Sequence, residues 1–209
     1  LIYLLSQSKK EGVVSLPIIK SIRVAANINF NTCDTLIFTS KNCVDMVNSI
    51  DKRWKEYDII SIGEATTRKI EELGGNVIFS SKGYGDSLVQ DIIHNFFNKK
   101  ILFLRPKKVA TDIRLKLKNY GIAIDEQVIY ETQCIAYDST KIPPAGSIII
   151  FTSPSTVKCF FDNFVWHESY KAVAIGEVTA KAFPRSVDYV IAHKPLIDSC
   201  IKEAQKLEK

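Results

Sequence analysis

Histidine is scarce in this chain, three in 209 residues, and methionine occurs once. His94, His167 and His193 show no ligand spacing with the cysteines, so no metal site is expected. The five cysteines, Cys33, Cys43, Cys134, Cys159 and Cys200, are odd in number and form no CxxC pair. That argues against a disulfide framework and makes a reducing cytoplasm the simplest setting. Long apolar runs are missing too. Ile148-Ile149-Ile150-Phe151 is far too short to cross a bilayer. Residues 1–5 are too few for a signal peptide and lack its basic start and small-residue exit. There is no P-loop. Gly83-Tyr84-Gly85-Asp86 lacks the third glycine of a dinucleotide fingerprint and does not directly follow a strand, so it reads as a loop with Asp86 near a helix start. No Ser-His-Asp or Cys-His arrangement can be proposed from spacing, and no cofactor is expected.

What the chain does contain is ordinary for a globular protein: 24% charged and 46% hydrophobic residues. The net charge of +5 is mild and spread along the chain. It favours an acidic small ligand without demanding nucleic acid.

The sequence also repeats. Thr35-Leu36-Ile37-Phe38-Thr39-Ser40 is echoed 113 positions later by Ile148-Ile149-Ile150-Phe151-Thr152-Ser153. Ile62-Gly63-Glu64-Ala65-Thr66 is echoed at the same offset by Ile175-Gly176-Glu177-Val178-Thr179, and Val77-Ile78 by Val190-Ile191. Three matches in order at one offset argue for duplicated architecture. Short, mainly apolar runs, at 36–39, 58–62, 77–79, 101–104, 148–151, 172–175 and 188–192, predict buried parallel strands. Helical patterns lie between them, which predicts doubly wound α/β units.

The pieces do not form two tandem blocks. A flavodoxin-like unit needs about five strands. The C-terminal segment lacks enough, and the orphan run at 2–5 can complete it. One lobe is therefore expected over 1–12 plus 135–209, and the other over 25–124. Residues 13–24 and 125–134 would be linkers, crossing as a two-stranded antiparallel β ladder.

In open parallel sheets, ligands bind beyond the carboxyl ends of the strands. Thr39-Ser40, Gly63, Thr66, Thr152-Ser153, Gly176 and Thr179 fall at such ends. Hydroxyls and free N–H groups at helix starts attract anions, and glycine lets a ligand approach the backbone. Two lobes facing each other would line one cleft with two similar sets of donors. A serine or threonine before a helix is more often only a cap. Physics alone thus reaches a two-lobed α/β protein with an anion-friendly cleft, and no named reaction.

The quoted motifs, with the strand at 101–106, Val128-Ile129-Tyr130-Glu131-Thr132 and Phe151-Thr152-Ser153-Pro154-Ser155, resemble uroporphyrinogen-III synthases in order and spacing over nearly the whole chain. The resemblance implies two flavodoxin-like lobes joined by a two-stranded ladder. It implies a cofactor-free cyclase acting on hydroxymethylbilane, a linear tetrapyrrole with acetate and propionate arms. Loss of its hydroxyl leaves an azafulvene. Unguided closure gives isomer I, whereas the enzyme directs attack through a spiro intermediate that inverts ring D and gives uroporphyrinogen III. The resemblance further implies Tyr130 as a general acid, and Ser40, Thr66, Ser153, Lys171 and Thr179 on the carboxylate arms, with backbone N–H groups beside Gly63 and Gly176. A cytoplasmic monomer is expected, with transient contact with hydroxymethylbilane synthase and with no membrane or nucleic-acid partner. The chain departs from the family where Ser6-Gln7 replaces Arg-Pro, Lys41 replaces proline, and Val178 replaces a hydroxyl residue. The rival readings are a two-lobed small-molecule sensor of the periplasmic-binding type and a nucleotide-binding α/β enzyme.

Overall fold

A computed structural model describes every residue except Lys82, Tyr84, Gly85, Ala110 and Lys209. In chain order its strands are β1 (Ile2–Leu4), β2 (Val14–Ser15), β3 (Ile19–Arg23), β4 (Thr35–Phe38), β5 (Asp58–Ile62), β6 (Asn76–Ser81), β7 (Lys100–Pro106), β8 (Ala123–Cys134), β9 (Ile148–Phe151), β10 (Lys171–Ala174) and β11 (Tyr189–Ile191). The α-helices are α1 (Lys41–Ile50), α2 (Glu64–Glu72), α3 (Asp86–Asn95), α4 (Ile113–Asn119), α5 (Pro154–Asn163), α6 (Glu177–Ala180) and α7 (Ile197–Leu207). Asp86 opens α3, while Tyr84 and Gly85, expected in the loop before it, lie outside the described residues.

The chain divides into two units. Unit 1 is Leu1–Lys20 with Gln133–Lys209, and unit 2 is Ser21–Thr132. In unit 2 the sheet runs β6-β5-β4-β7-β8-β3. The pairs from β6 to β8 are parallel. β4 is buried on both faces, and its side chains alternate. Leu36 and Phe38 pack with Val44 and Val47 of α1 and Ile70 of α2. Ile37 packs on the other face with Leu88 and Ile92 of α3 and Leu117 of α4. A strand covered on both faces must be apolar throughout, which is why its sequence is a continuous run.

In unit 1 the sheet runs β11-β10-β9-β1-β2, again parallel. Ile149 and Phe151 face Phe160 of α5, while Ile148 and Ile150 face Cys200 and Ala204 of α7. Position by position, β9, β10 and β11 answer to β4, β5 and β6, and β1 and β2 answer to β7 and β8. Both sheets therefore have one spatial plan threaded in two chain orders. Numbered along its own chain, unit 1 reads 2-1-3-4-5, the flavodoxin order, whereas the five parallel strands of unit 2 read 3-2-1-4-5.

The linker segments do more than cross. Val14-Ser15 pairs in parallel with β1 as the edge of the unit 1 sheet, so residues 13–24 do not cross as one continuous strand. The first half of β8 pairs in parallel with β7. Its second half meets β3: the Val24 N–H donates to the Ile129 carbonyl and the Ile135 N–H to the Ile18 carbonyl. Numbering rises on one strand as it falls on the other, so this pair is antiparallel.

One expectation is overturned. Cys134 and Cys159 are joined as a disulfide, with Cα atoms 5.3 Å apart and a sequence separation of 25. The end of β8 lies against α5, a proximity that cysteine spacing does not encode. The cysteine-based argument for a reducing compartment falls with it. Among the described residues Cys33, Cys43 and Cys200 are free thiols.

Candidate active site

In unit 2 the strand order reverses between β4 and β7. β4 leads to α1 on one face, and β7 leads to α4 on the other. The crevice beyond the carboxyl ends at such a reversal is where open α/β sheets bind ligands. Ser40 stands there, two residues past β4. Its extended backbone, φ −158°, turns the chain into α1, and its Oγ accepts the Asn42 N–H at 3.1 Å. The hydroxyl of Tyr130, from the far half of β8, lies 3.3 Å from the same Oγ. Ser40 is thus both a helix cap and the partner of a phenol.

The Tyr130 ring is buried, 4% exposed, in one cluster with Ile129, Phe38 and Cys43. Burial pushes the phenol up to about 12, and the Ser40 contact opposes that only in part. Ser40 itself is half-buried, the more accessible member of the pair. The Cys43 thiol donates to the Leu104 carbonyl at 3.2 Å and is raised by burial, so it stays protonated.

Beside Ser40, on the neighbouring strand, Gly63 precedes α2 at φ +78°, a left-handed conformation that suits glycine. It offers α2 no side-chain cap. Its carbonyl accepts the N–H groups of Thr66 at 3.0 Å and Thr67 at 3.1 Å. Thr66 is buried. Thr67, which sequence reasoning passed over, joins Ser61 at 2.6 Å and Ser80 at 2.7 Å through hydroxyls. The available signal was Ser61, a polar residue inside the apolar run 58–62 that needed a partner.

Unit 1 carries the matching positions with different chemistry. Ser153 caps α5 in a reciprocal box: its Oγ accepts the Thr156 N–H at 3.2 Å, and its own N–H donates to Thr156 Oγ1 at 3.1 Å. The capping alternative is realised there. Gly176 precedes α6 with extended backbone, φ −179°, and a Cβ placed on it would meet nothing within 4 Å. Thr179 is buried, its N–H donating to the Gly176 carbonyl at 3.0 Å. Val178 is 64% exposed at this edge. The Ser6 hydroxyl turns back into its own bend, accepting the Ser8 N–H at 3.2 Å.

Lys171 does not join this edge. It opens β10 opposite Ile148, at the amino end of the strands, and its ammonium donates to the Leu207 carbonyl at 2.8 Å. Among the described residues no group of three or more His, Cys, Asp or Glu is arranged to hold a metal ion, and no helix is long and apolar enough to cross a membrane.

A family model described as uroporphyrinogen-III synthase HemD matches residues 6–202. The chain belongs to the uroporphyrinogen-III synthase family. The members of this family are enzymes of tetrapyrrole biosynthesis, cyclases of the lyase type. Of the solved structures, uroporphyrinogen-III synthetase from Helicobacter pylori is 24% identical with a TM-score of 0.84, over 99% of this chain and 98% of that one. A mutant uroporphyrinogen III synthase from Thermus thermophilus is 14% identical with a TM-score of 0.55, over 99% and 98%. At these identities the likeness is one of fold. None of the curated proteins compared with the chain matches it.

Proposed function

We propose that this member of the family closes hydroxymethylbilane to uroporphyrinogen III, with Tyr130 and Ser40 delivering the proton that lets the hydroxyl leave. The observation that carries this reading is the 3.3 Å hydroxyl pair at the strand-order reversal of unit 2. A pyrrole nitrogen lone pair expels the hydroxyl as water once it gains a proton, leaving the azafulvene. The substituted carbon of ring D attacks it, and the spiro intermediate breaks and recloses with ring D inverted. The proton lost as the last ring regains aromaticity restores the donor.

Because Tyr130 is buried, the proton reaches the substrate through the Ser40 hydroxyl. A phenol raised to about 12 stays protonated throughout the neutral range, so the proton to be delivered is present at any neutral pH. The substrate is already reactive, so most of the acceleration is orientation, and a general acid adds about 10²–10⁴-fold.

Ser40, Gly63 and Thr66 of unit 2, with Ser153, Gly176 and Thr179 of unit 1, take the carboxylate arms. Lys171 is left out of this set because of its place at the amino edge. Free hydroxymethylbilane closes unaided to isomer I. That is the reason to expect a cytoplasmic monomer that receives its substrate in passing contact with hydroxymethylbilane synthase. Incubation with hydroxymethylbilane, followed by oxidation and separation of the porphyrin isomers, tests the reading.

A further inference from the structure

Side chains on a strand alternate between faces. In β8, Ile124 packs toward α3 and α4, and Ile129 packs toward α1 and α2. By parity, residue 130 should return to the α3 and α4 face. It does not, because Tyr130 shares the cluster of Ile129. The pairing with β7 explains this. The register from Lys100 opposite Ala123 to Arg105 opposite Val128 is regular, and the next pair is Pro106 opposite Tyr130. Ile129 is the extra residue. Beyond it the Lys107 N–H donates to the Tyr130 carbonyl at 2.8 Å, in the shifted register. On the other side of β8, the Ile129 carbonyl accepts from both Val24 at 2.9 Å and Ala25 at 3.2 Å. A one-residue slip reverses the facing of every residue after it. Without it, Tyr130 would point away from Ser40.

Two neighbouring residues of β7 stand at the slip. Pro106 has no N–H to offer the regular ladder, and proline inside a sheet is found at bulges. The Arg105 guanidinium forks onto Glu126, Nε to Oε2 at 2.9 Å and NH2 to Oε1 at 2.8 Å. Its NH1 donates to the carbonyls of Pro106 at 2.9 Å and Lys107 at 3.1 Å. One side chain thus ties β8 just before the extra residue to β7 just past it. The Arg105 and Glu126 side chains are 15% and 25% exposed, sheltered enough for the planar fork to hold that geometry.

We infer that Arg105, braced by Glu126 and acting with Pro106, is a positioning residue that fixes the bulge turning the Tyr130 hydroxyl toward Ser40. The inference rests on the role proposed for Tyr130, and Arg105 acts through the backbone. The test uses Arg105→Lys, which keeps the charge and loses the fork, and Glu126→Gln, which keeps an acceptor and loses the charge. The phenol is followed by NMR of protein carrying ¹³Cζ-labelled tyrosine, with the Tyr130 signal assigned by Tyr130→Phe. Arg105→Lys is expected to lower kcat on the order of tenfold, with KM held within about twofold. The Tyr130 phenol should titrate lower, toward the free-tyrosine value of about 10, as the ring gains water. Glu126→Gln shifts both readouts in the same direction by less, and it carries the test if Arg105→Lys fails to fold. In a Tyr130→Phe background, Arg105→Lys should cost nothing further. Unchanged kcat with an unchanged phenol titration overturns the inference, as does an equal loss of kcat in the Tyr130→Phe background. Full turnover in Tyr130→Phe alone removes the phenol from the chemistry, and the titration then decides by itself whether Arg105 sets the ring.

Discussion

Gly63 and Gly176 hold the same place in the two halves, each between a strand and a helix, yet only Gly63 adopts a left-handed φ, +78° against −179°. Alanine at Gly63 should therefore destabilise by about 1 kcal/mol or more through backbone strain. Alanine at Gly176 meets open space and should leave the melting temperature unchanged. If a carboxylate arm approaches the backbone there, KM rises in Gly176→Ala with no change in stability. An unchanged KM takes Gly176 out of substrate binding.

Ser40 and Ser153 make a second matched pair. Each caps a helix, and removing such a cap costs about 1 kcal/mol. Denaturant midpoints of Ser40→Ala and Ser153→Ala should fall by similar amounts. Only Ser40→Ala also strips Tyr130 of its partner, so only it should lower kcat, while Ser153→Ala acts on KM. Equal kcat losses in the two variants would contradict the proton path through Ser40.

Burial raises the Tyr130 phenol to about 12, and the Cys33 and Cys200 thiols to about 11. For each group the folded state holds its proton more tightly than the unfolded chain does. Each stabilising contribution is therefore complete below the unfolded pKa, about 9 for the thiols and about 10 for the phenol, and is lost as pH rises through the folded value. Melting temperature should fall progressively on the alkaline side, and Tyr130→Phe should flatten the part between about pH 10 and 12. Identical alkaline slopes for the two proteins would show that Tyr130 titrates alike folded and unfolded. In the same reading, the turnover ratio of wild type to Tyr130→Phe stays constant across neutral pH.

The Cys134–Cys159 link predicts a thiol count. Alkylation of the unreduced, unfolded protein should label Cys33, Cys43 and Cys200, and prior reduction should expose all five cysteines. Closing a loop of this length contributes about 3 kcal/mol in the chain-entropy account, so reduction should lower the denaturant midpoint. Five labelled cysteines without reduction would contradict the link.

Much of the fold was legible because burial writes itself into the sequence. β4 and β9 are covered on both faces, so their apolar runs are continuous, and the constant offset between them marked equivalent places in two sheets. β8 was read only as a crossing strand because a β-prone run looks the same in a sheet as in a ladder, and this strand of 12 residues is both. Strand direction could have excluded Lys171, since it precedes the apolar run of β10 and must lie at the amino edge. The facing of Tyr130 was not legible. It depends on one extra residue, and period-two reading assumes that none is inserted. The disulfide was equally hidden, because it joins a strand end to a helix that meet only in the folded chain.

The most direct measurement is the isomer of the product. Hydroxymethylbilane generated in situ is incubated with the protein, the product is oxidised, and the type I and type III porphyrins are separated. The account predicts a dominant type III product. Type I alone, formed at the rate seen without protein, would contradict it.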